Sequence, residues 1–363
     1  MSSLSCGIVG LPNVGKSTIF NAITANQAPS SNYPFCTIEP NVGTVEVPDP
    51  RLETLTKISG SQKIIHALLE ICDIAGLVAG ASKGEGLGNK FLANIRQTDA
   101  ILHVVRCFDS EDITHVSGKV DPVSDIGVID LELILSDLQM AENSLVKLEK
   151  QVKGNKQLAQ VFEVLKKVKE GLNENQKVIN MGLTDDEKDL LTPYPFLTAK
   201  KVMYVANVGD SDNLENNRYL AQVKAHAEKE GAPTLTLSAK MEEEIAQLPK
   251  EEQQEFLESM GLNESGLSRL IRRAFEMLGL ITFLTTGEQE TRAWPIKKGW
   301  TAPQAAGKIH TDIQKGFIRA EVINYDDIVK FGGRVKAKEA GKMRAEGKEY
   351  IVKDGDVILF LHN

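Results

Sequence analysis

No apolar run in this 363-residue chain approaches the ~20 residues needed to cross a bilayer, so no membrane partner is expected. The first apolar stretch begins at Ser5, which leaves no room for a signal peptide. Cysteine is scarce. The four present, Cys6, Cys36, Cys72 and Cys107, lie far apart and show no C-x-x-C spacing. That excludes a disulfide framework and a zinc site of the usual kind, and predicts buried thiols in a reducing cytoplasm. One sign of charge is in excess: the net charge is −8, but from Ile281 onward 14 Lys/Arg face 11 Asp/Glu. Between Lys330 and Lys348 seven residues are basic and two acidic. A basic tail on an acidic body suits an anionic partner; solvated charge is the plainer alternative.

What is present begins with Gly10-Leu11-Pro12-Asn13-Val14-Gly15-Lys16-Ser17, followed by Thr18. This is G-x-x-x-x-G-K-[ST], set between an apolar run (Ser5 to Val9) and a stretch of helical spacing (Thr18 to Ile23). Such a turn aims backbone N–H groups and a helix N-terminus at one point, the requirement for holding phosphates. Asn13 to Thr18 would line the phosphates, with Lys16 on the β/γ-phosphates and the Ser17 hydroxyl on Mg²⁺. Asn13 also stands where some proteins of this kind hold K⁺.

Downstream, the loop Pro29 to Pro40 carries Thr37, placed as a switch threonine that ligates Mg²⁺. Asn41 to Val47 and Ile64 to Cys72 read as strands, the second running into Asp73-Ile74-Ala75-Gly76. In that D-x-x-G, Asp73 would hold Mg²⁺ and the Gly76 N–H would meet the γ-phosphate. Leu77 follows, where many GTPases place a water-orienting glutamine. Leucine cannot hydrogen-bond water, so hydrolysis is expected to be slow or assisted by another group. The glycine-rich segment 76–88 is expected to respond to nucleotide.

Ala100 to Val105 reads as another buried strand. Beyond it, Leu131, Ile134, Leu138, Ala141, Leu145, Leu148 and Val152, then Leu158, Val161, Leu165, Val168 and Leu172, keep three-four spacing about a short polar turn. This predicts an antiparallel coiled-coil arm inserted at about 128–195. Strands at 202–206 and 234–237 then lead into Asn207-Val208-Gly209-Asp210 and Ser238-Ala239-Lys240, the places of base-reading loops. The whole order predicts an α/β doubly wound, mostly parallel sheet with its ligand at the strands' C-terminal ends. A second module of α+β character is expected over 281–363, built on a β-grasp sheet.

Several stretches together resemble the Obg-like ATPase (YchF) family over the whole chain: 10–18, 32–41, 73–78, 81–89 and 103–108. The tail segments 301–310 and 350–356 are similar to that family's ubiquitin-like TGS domain. The resemblance implies an OBG-type G domain over 1–280, interrupted by the helical arm, and a TGS domain over 281–363. It implies a cytosolic, Mg²⁺-dependent P-loop NTPase that hydrolyses ATP in preference to GTP. Implied partners are the ribosome, through its large subunit or the 70S particle, and RNA reached through the basic tail; K⁺ as an activator stays open. A histidine stands in for the missing glutamine in that family, and the matching residue is His115. The family carries N-x-x-E where this chain has Asn207 to Asp210. Asp210 is what a GTPase would use for guanine, while Asn207 could contact adenine N6 and N7 together. Val208, Ser238 and Ala239 complete the expected base site.

Three functional classes fit these residues. One is an NTP-hydrolysing ribosomal switch, with GTP as the alternative nucleotide. Another is a non-catalytic, nucleotide-sensing scaffold, which Leu77 favours. The weakest is a small-molecule kinase, for which no lid or acceptor pocket is visible.

Overall fold

The computed structural model describes residues 4–25, 41–74, 86–110, 118–152, 155–210 and 212–363. By their contacts these form two compact units. The first holds the described parts of 1–26, 38–43 and 70–267, and the second those of 27–37, 44–69 and 268–363.

In chain order the first elements are β1 (Ser5–Val9), α1 (Lys16–Ala25), β2 (Val42–Glu46), α2 (Pro50–Ser59), β3 (Lys63–Ile65) and β4 (Leu68–Asp73). The run expected as one strand from Ile64 to Cys72 is thus two strands, broken at His66 and Ala67. They lie in different sheets. Then come α3 (Gly86–Gln97), β5 (Ala100–Arg106), α4 (Pro122–Glu149), α5 (Lys156–Asn173), α6 (Asp185–Leu190), β6 (Lys201–Asn207), α7 (Arg218–Glu230), β7 (Thr234–Leu237) and α8 (Ala239–Gln247).

The first sheet has the order β2-β4-β1-β5-β6-β7, and every pairing from β4 to β7 is parallel. β1 and β5 are buried along their whole length, which explains their unbroken apolar sequence. Because β1 lies centrally between β4 and β5, the loop after β1 and the end of β4 open at the same edge of the sheet.

α4 starts at Pro122, where the Asp121 carboxylate accepts from the Ser124 N–H at 3.1 Å. Its first turns pack with the sheet through Ile126. The helical excursion therefore leaves the middle of a continuous helix, and no element begins at 128. α4 and α5 pack through Ile134, Ala141, Leu148, Val161, Leu165, Val168 and Leu172, the expected stripe. Leu131 departs from it and is exposed. The returning chain adds Leu183, Leu191 and Phe196 to the same core. It is fastened by fully buried Asp137, which accepts from the Leu197 and Thr198 N–H groups and the Thr198 hydroxyl at 2.7–2.8 Å. At the root, Lys177 is held by Asp130 at 2.7 Å and Glu230 at 2.9 Å.

The remaining elements are α9 (Lys250–Ser259), α10 (Gly266–Met277), β8 (Leu280–Thr286), β9 (Glu290–Lys297), α11 (Ala302–Ile309), α12 (Thr311–Lys315), β10 (Phe317–Asn324), α13 (Tyr325–Phe331), α14 (Arg334–Glu339), β11 (Arg344–Glu346) and β12 (Asp356–His362). The second sheet runs β11-β10-β12-β8-β9-β3. One face packs Phe283, Ile296, Val322 and Phe360 against the alanines of α11. Residues 44–69 thus join 268–363, with β3 parallel to β9, a pairing that a division at 280/281 does not contain. Arg51 in α2 secures the arrangement by pairing with Asp354 at 2.8 Å and donating to the Thr282 hydroxyl at 3.0 Å. β9 and β11 escaped the sequence reading. The expected strand Ile351-Val352 contributes only an isolated bridge to Thr301.

Candidate nucleotide site

Two close approaches shape the loop between β1 and α1. A Cβ on Gly10 would come within 2.8 Å of the Val104 carbonyl, so β1 can turn there only without a side chain. Gly15 has φ of 96°, and a Cβ on it would overlap the Asn207 amide nitrogen. Asn13 also adopts positive φ, at 64°. Leu11, Pro12, Asn13, Gly15, Lys16, Ser17 and Thr18 line a cavity of about 410 Å³. Val14 turns inward and is buried.

Lys16 is itself buried, and its ammonium donates to Asp73 Oδ1 at 2.8 Å and to the Ile74 carbonyl at 2.9 Å. The end of β4 is thus drawn to the loop after β1. Asp73 is fixed in turn, its N–H donating to the Asn41 carbonyl at 2.8 Å. Ser17 is exposed at the start of α1. Its hydroxyl and the Asp73 carboxylate are hard oxygen donors of the type Mg²⁺ takes.

Asn207, expected to contact the base, is engaged within the protein. It is buried, its Nδ2 donates to the Val14 carbonyl at 2.9 Å, and its Oδ1 accepts from the Ala239 N–H at 2.9 Å. These bonds use one of the two N–H donors and one lone pair of the oxygen. Asn207 ties three loops together. Val208 packs in the core beside Tyr219 and Val223, and its N–H donates to the Leu237 carbonyl at 3.0 Å.

Asp210 is half-exposed. It accepts from the Ser238 hydroxyl on Oδ1 and pairs with Lys240 at 3.1 Å on Oδ2. The hydrogen bond and charge of Asp210 raise the Lys240 pKa. Lys240 belongs to the Ser238-Ala239-Lys240 loop marked in the sequence; its pairing with Asp210 is what the sequence did not show.

Thr37, Gly76, Leu77 and His115, with Cys36, lie outside the described residues. Cys6 and Cys107 are buried, and burial pushes both thiols up to about 12, which makes them inert.

The phosphate loop, the acidic strand end and the parallel sheet define a P-loop nucleotide-binding protein of the GTPase type. The family described as "50S ribosome-binding GTPase" matches residues 5–131, and the C-terminal YchF-GTPase family, described as a protein of unknown function, matches 280–363. The Haemophilus influenzae protein named "Ribosome-binding ATPase YchF" is 53% identical over 359 residues, 99% of each chain. A Bacillus subtilis protein of the same name is 51% identical over 364 residues, covering 99% of this chain and 100% of its own. The solved YchF GTPase of Schizosaccharomyces pombe superposes with a TM-score of 0.90 at 36% identity, over 99% of this chain and 98% of that one. This chain belongs to the YchF family.

Proposed function

We propose that this protein is a ribosome-associated P-loop ATPase, a slow nucleotide-driven switch in translation or its regulation under stress. The observation that carries the proposal is the meeting of Lys16, Ser17 and Asp73 at one edge of the parallel sheet. The names of the relatives, ribosome-binding ATPases, supply the nucleotide and the partner.

In this reading the N–H groups of the loop from Asn13 to Thr18 cradle the phosphates, and Lys16 exchanges Asp73 for the β- and γ-phosphates. Ser17, Asp73 and Thr37 hold Mg²⁺, which supplies neutralisation of phosphate charge when bound. The Gly76 N–H contacts the γ-phosphate. His115 orients the attacking water that Leu77 cannot. K⁺ beside Asn13 would assist as an activator.

Base selection falls to the loops that carry Asn207, Val208, Asp210, Ser238 and Ala239, with Asn207 also bracing them to the phosphate loop. Adenine N1 is an acceptor and gains nothing from a carboxylate. Asp210 held by Lys240 is consistent with ATP. GTP is the second reading, because a serine-braced aspartate is also what guanine's N1–H and N2–H₂ require. The paired helices α4 and α5 would act as the coiled-coil arm. The TGS-like, β-grasp-type sheet with its basic stretch would meet ribosomal RNA, on the large subunit or the 70S particle, in the cytoplasm. Among the described residues no helix is long and apolar enough to cross a membrane.

Turnover of ATP and GTP with and without 70S ribosomes tests the proposal. Mg²⁺-dependent ATP hydrolysis that ribosomes alter, and that His115→Ala abolishes while ATP still binds, is the expected result. Nucleotide binding without turnover under either condition would favour the non-catalytic scaffold.

A further inference from the structure

The turn that carries Asp210 is tied to the end of β5 by a single asparagine. Asn217 is the N-cap of α7, where its Oδ1 accepts from the Leu220 N–H at 2.9 Å. Capping asks nothing of the amide nitrogen. Yet Nδ2 gives both its hydrogens, one to the Cys107 carbonyl just beyond β5 at 2.8 Å and one to Asp212 Oδ2 at 3.1 Å. The same Asp212 oxygen accepts from the Gly209 N–H at 2.9 Å, and the Asp212 N–H donates back to the Gly209 carbonyl at 3.2 Å. The approach is close, since a Cβ on Gly209 would lie 3.0 Å from Asp212 Oδ1. Gly209 and Asp212 thus clasp the turn that includes Asp210, and Asn217 fixes that clasp to the sheet.

Asp210 itself is held on the loop after β7, by the Ser238 hydroxyl and by Lys240 at 3.1 Å. Its carboxylate therefore depends on two supports, its own partners and a backbone fastened from β5. A carboxylate reads guanine by accepting from N1–H and N2–H₂, whereas adenine offers it an acceptor at N1. A turn that keeps Asp210 on Ser238 and Lys240 withholds it from guanine. On the reading that Asp210 stands at the base of a bound ATP, we infer that Asn217 is a positioning residue for base selection, holding the turn from Gly209 to Asp212 so that Asp210 cannot serve GTP. A serine would cap α7 equally well, but one hydroxyl hydrogen cannot serve both the Cys107 carbonyl and Asp212. The Tyr219 hydroxyl donates to Asp109 Oδ1 at 2.8 Å, a second tie between α7 and the chain beyond β5. Docking of that helix therefore does not rest on Asn217 alone.

Asn217→Asp isolates the amide nitrogen. One oxygen still caps α7, while the other turns an acceptor on the Cys107 carbonyl and the Asp212 carboxylate, which frees the turn. Calorimetric titration of the full chain with ATP and with GTP, both in Mg²⁺, reads the result. The ratio of ATP to GTP affinity should fall by about tenfold, the size of one charged hydrogen bond gained by guanine. A merely structural role would lower both affinities by one factor and leave the ratio where it was. Asp212→Ala should reproduce the shift, and Asp212→Asn, whose amide oxygen can take both bonds, should not. In the double variant Asp210→Ala/Asn217→Asp the gain for GTP should vanish, because Asp210 supplies it. With a wild type that prefers ATP, an unmoved ratio in Asn217→Asp and Asp212→Ala, or a gain for GTP that survives Asp210→Ala, would overturn the inference alone. A wild type that binds GTP more tightly would overturn the ATP reading and the role of Asn217 together.

Discussion

The ammonium of Lys16 lies 2.8 Å from a carboxylate oxygen of Asp73, so the group expected to hold phosphate and the group expected to hold Mg²⁺ neutralise one another. A phosphate bound there would compete with Asp73 for Lys16, and Mg²⁺ would compete with Lys16 for Asp73. Either ligand alone leaves one charge stranded. The two should therefore favour each other strongly.

Asp73→Asn tests this directly. The variant should bind ATP more tightly than the wild type in chelator, because no carboxylate then holds Lys16 or repels phosphate. Its gain on adding Mg²⁺ should shrink by about 1.5–3 kcal/mol, the range for a hydrogen bond to a charged group. Lys16→Ala should lose affinity with and without Mg²⁺. Titrations of a fluorescent ATP analogue measure both. Equal Mg²⁺ dependence in Asp73→Asn and wild type would refute the coupling.

Asn207→Ala should behave as the loss of a brace and not of a base reader. It strands the Val14 carbonyl and the Ala239 N–H, at ~1–3 kcal/mol for each buried group left unsatisfied. The melting temperature should drop, and ATP and GTP affinity should fall by similar factors. Gly15→Ala should produce the same pattern from the other side, since its Cβ would push into that amide. A loss confined to one nucleotide would return Asn207 to base reading.

Asp210→Ala separates the nucleotides. If adenine is bound, the change costs little. If guanine is bound, it removes two hydrogen bonds to a charged group, roughly 1.5–3 kcal/mol each. Calorimetry with both nucleotides decides. Lys240→Ala should loosen Asp210 and shift the balance towards GTP.

His103 predicts an acid-sensitive fold. Burial, with lesser contributions from Lys177 and His226, pushes its pKa down to about 3, and its ring lies 5.5 Å from that of Tyr204. The unfolded chain takes up this proton near pH 6.5, whereas the folded chain resists it until about pH 3. Stability from this group is therefore intact above pH 6.5 and declines as pH falls towards 3, by roughly 1.4 kcal/mol per unit. Burial raises the Asp130 pKa, which works in the opposite sense at low pH. Comparison with His103→Phe cancels that contribution. The variant should lack the decline between pH 6.5 and 4 in urea titrations, and parallel curves would refute the assignment.

The basic stretch is better probed by substitution than by deletion. Removing 281–363 would strip β3 of β9 and Arg51 of Asp354, so lost binding could reflect unfolding. Lys336, Lys338 and Lys342 are exposed, and their replacement by glutamate should spare the fold. Ribosome sedimentation should weaken, and its dependence on salt should flatten as fewer counterions are released. Unchanged sedimentation would shift the contact to α4 and α5.

Local chemistry wrote a large part of this molecule into its sequence. A phosphate loop needs glycine where the backbone turns tightly, a lysine and a hydroxyl, so 10–18 was legible. Buried parallel strands need continuous apolar residues, and β1, β5 and β6 were legible for that reason. The stripe on α4 and α5 follows from helical periodicity, and the Leu131 exception arises because that turn faces away from the shared core. Long-range pairing was not legible. The break at His66 and Ala67 that sends β3 and β4 to different sheets has no marker in a run whose composition reads as one strand. β9 carries a proline and three charged residues in eight, which masks its alternation. The role of Asn207 was hidden because the same asparagine can read a base or brace a loop. Only the approach of Val14 and Ala239, from distant parts of the chain, shows the bracing bonds. Residue type fixes which bonds a side chain can make, and the tertiary fold determines which partners come within reach.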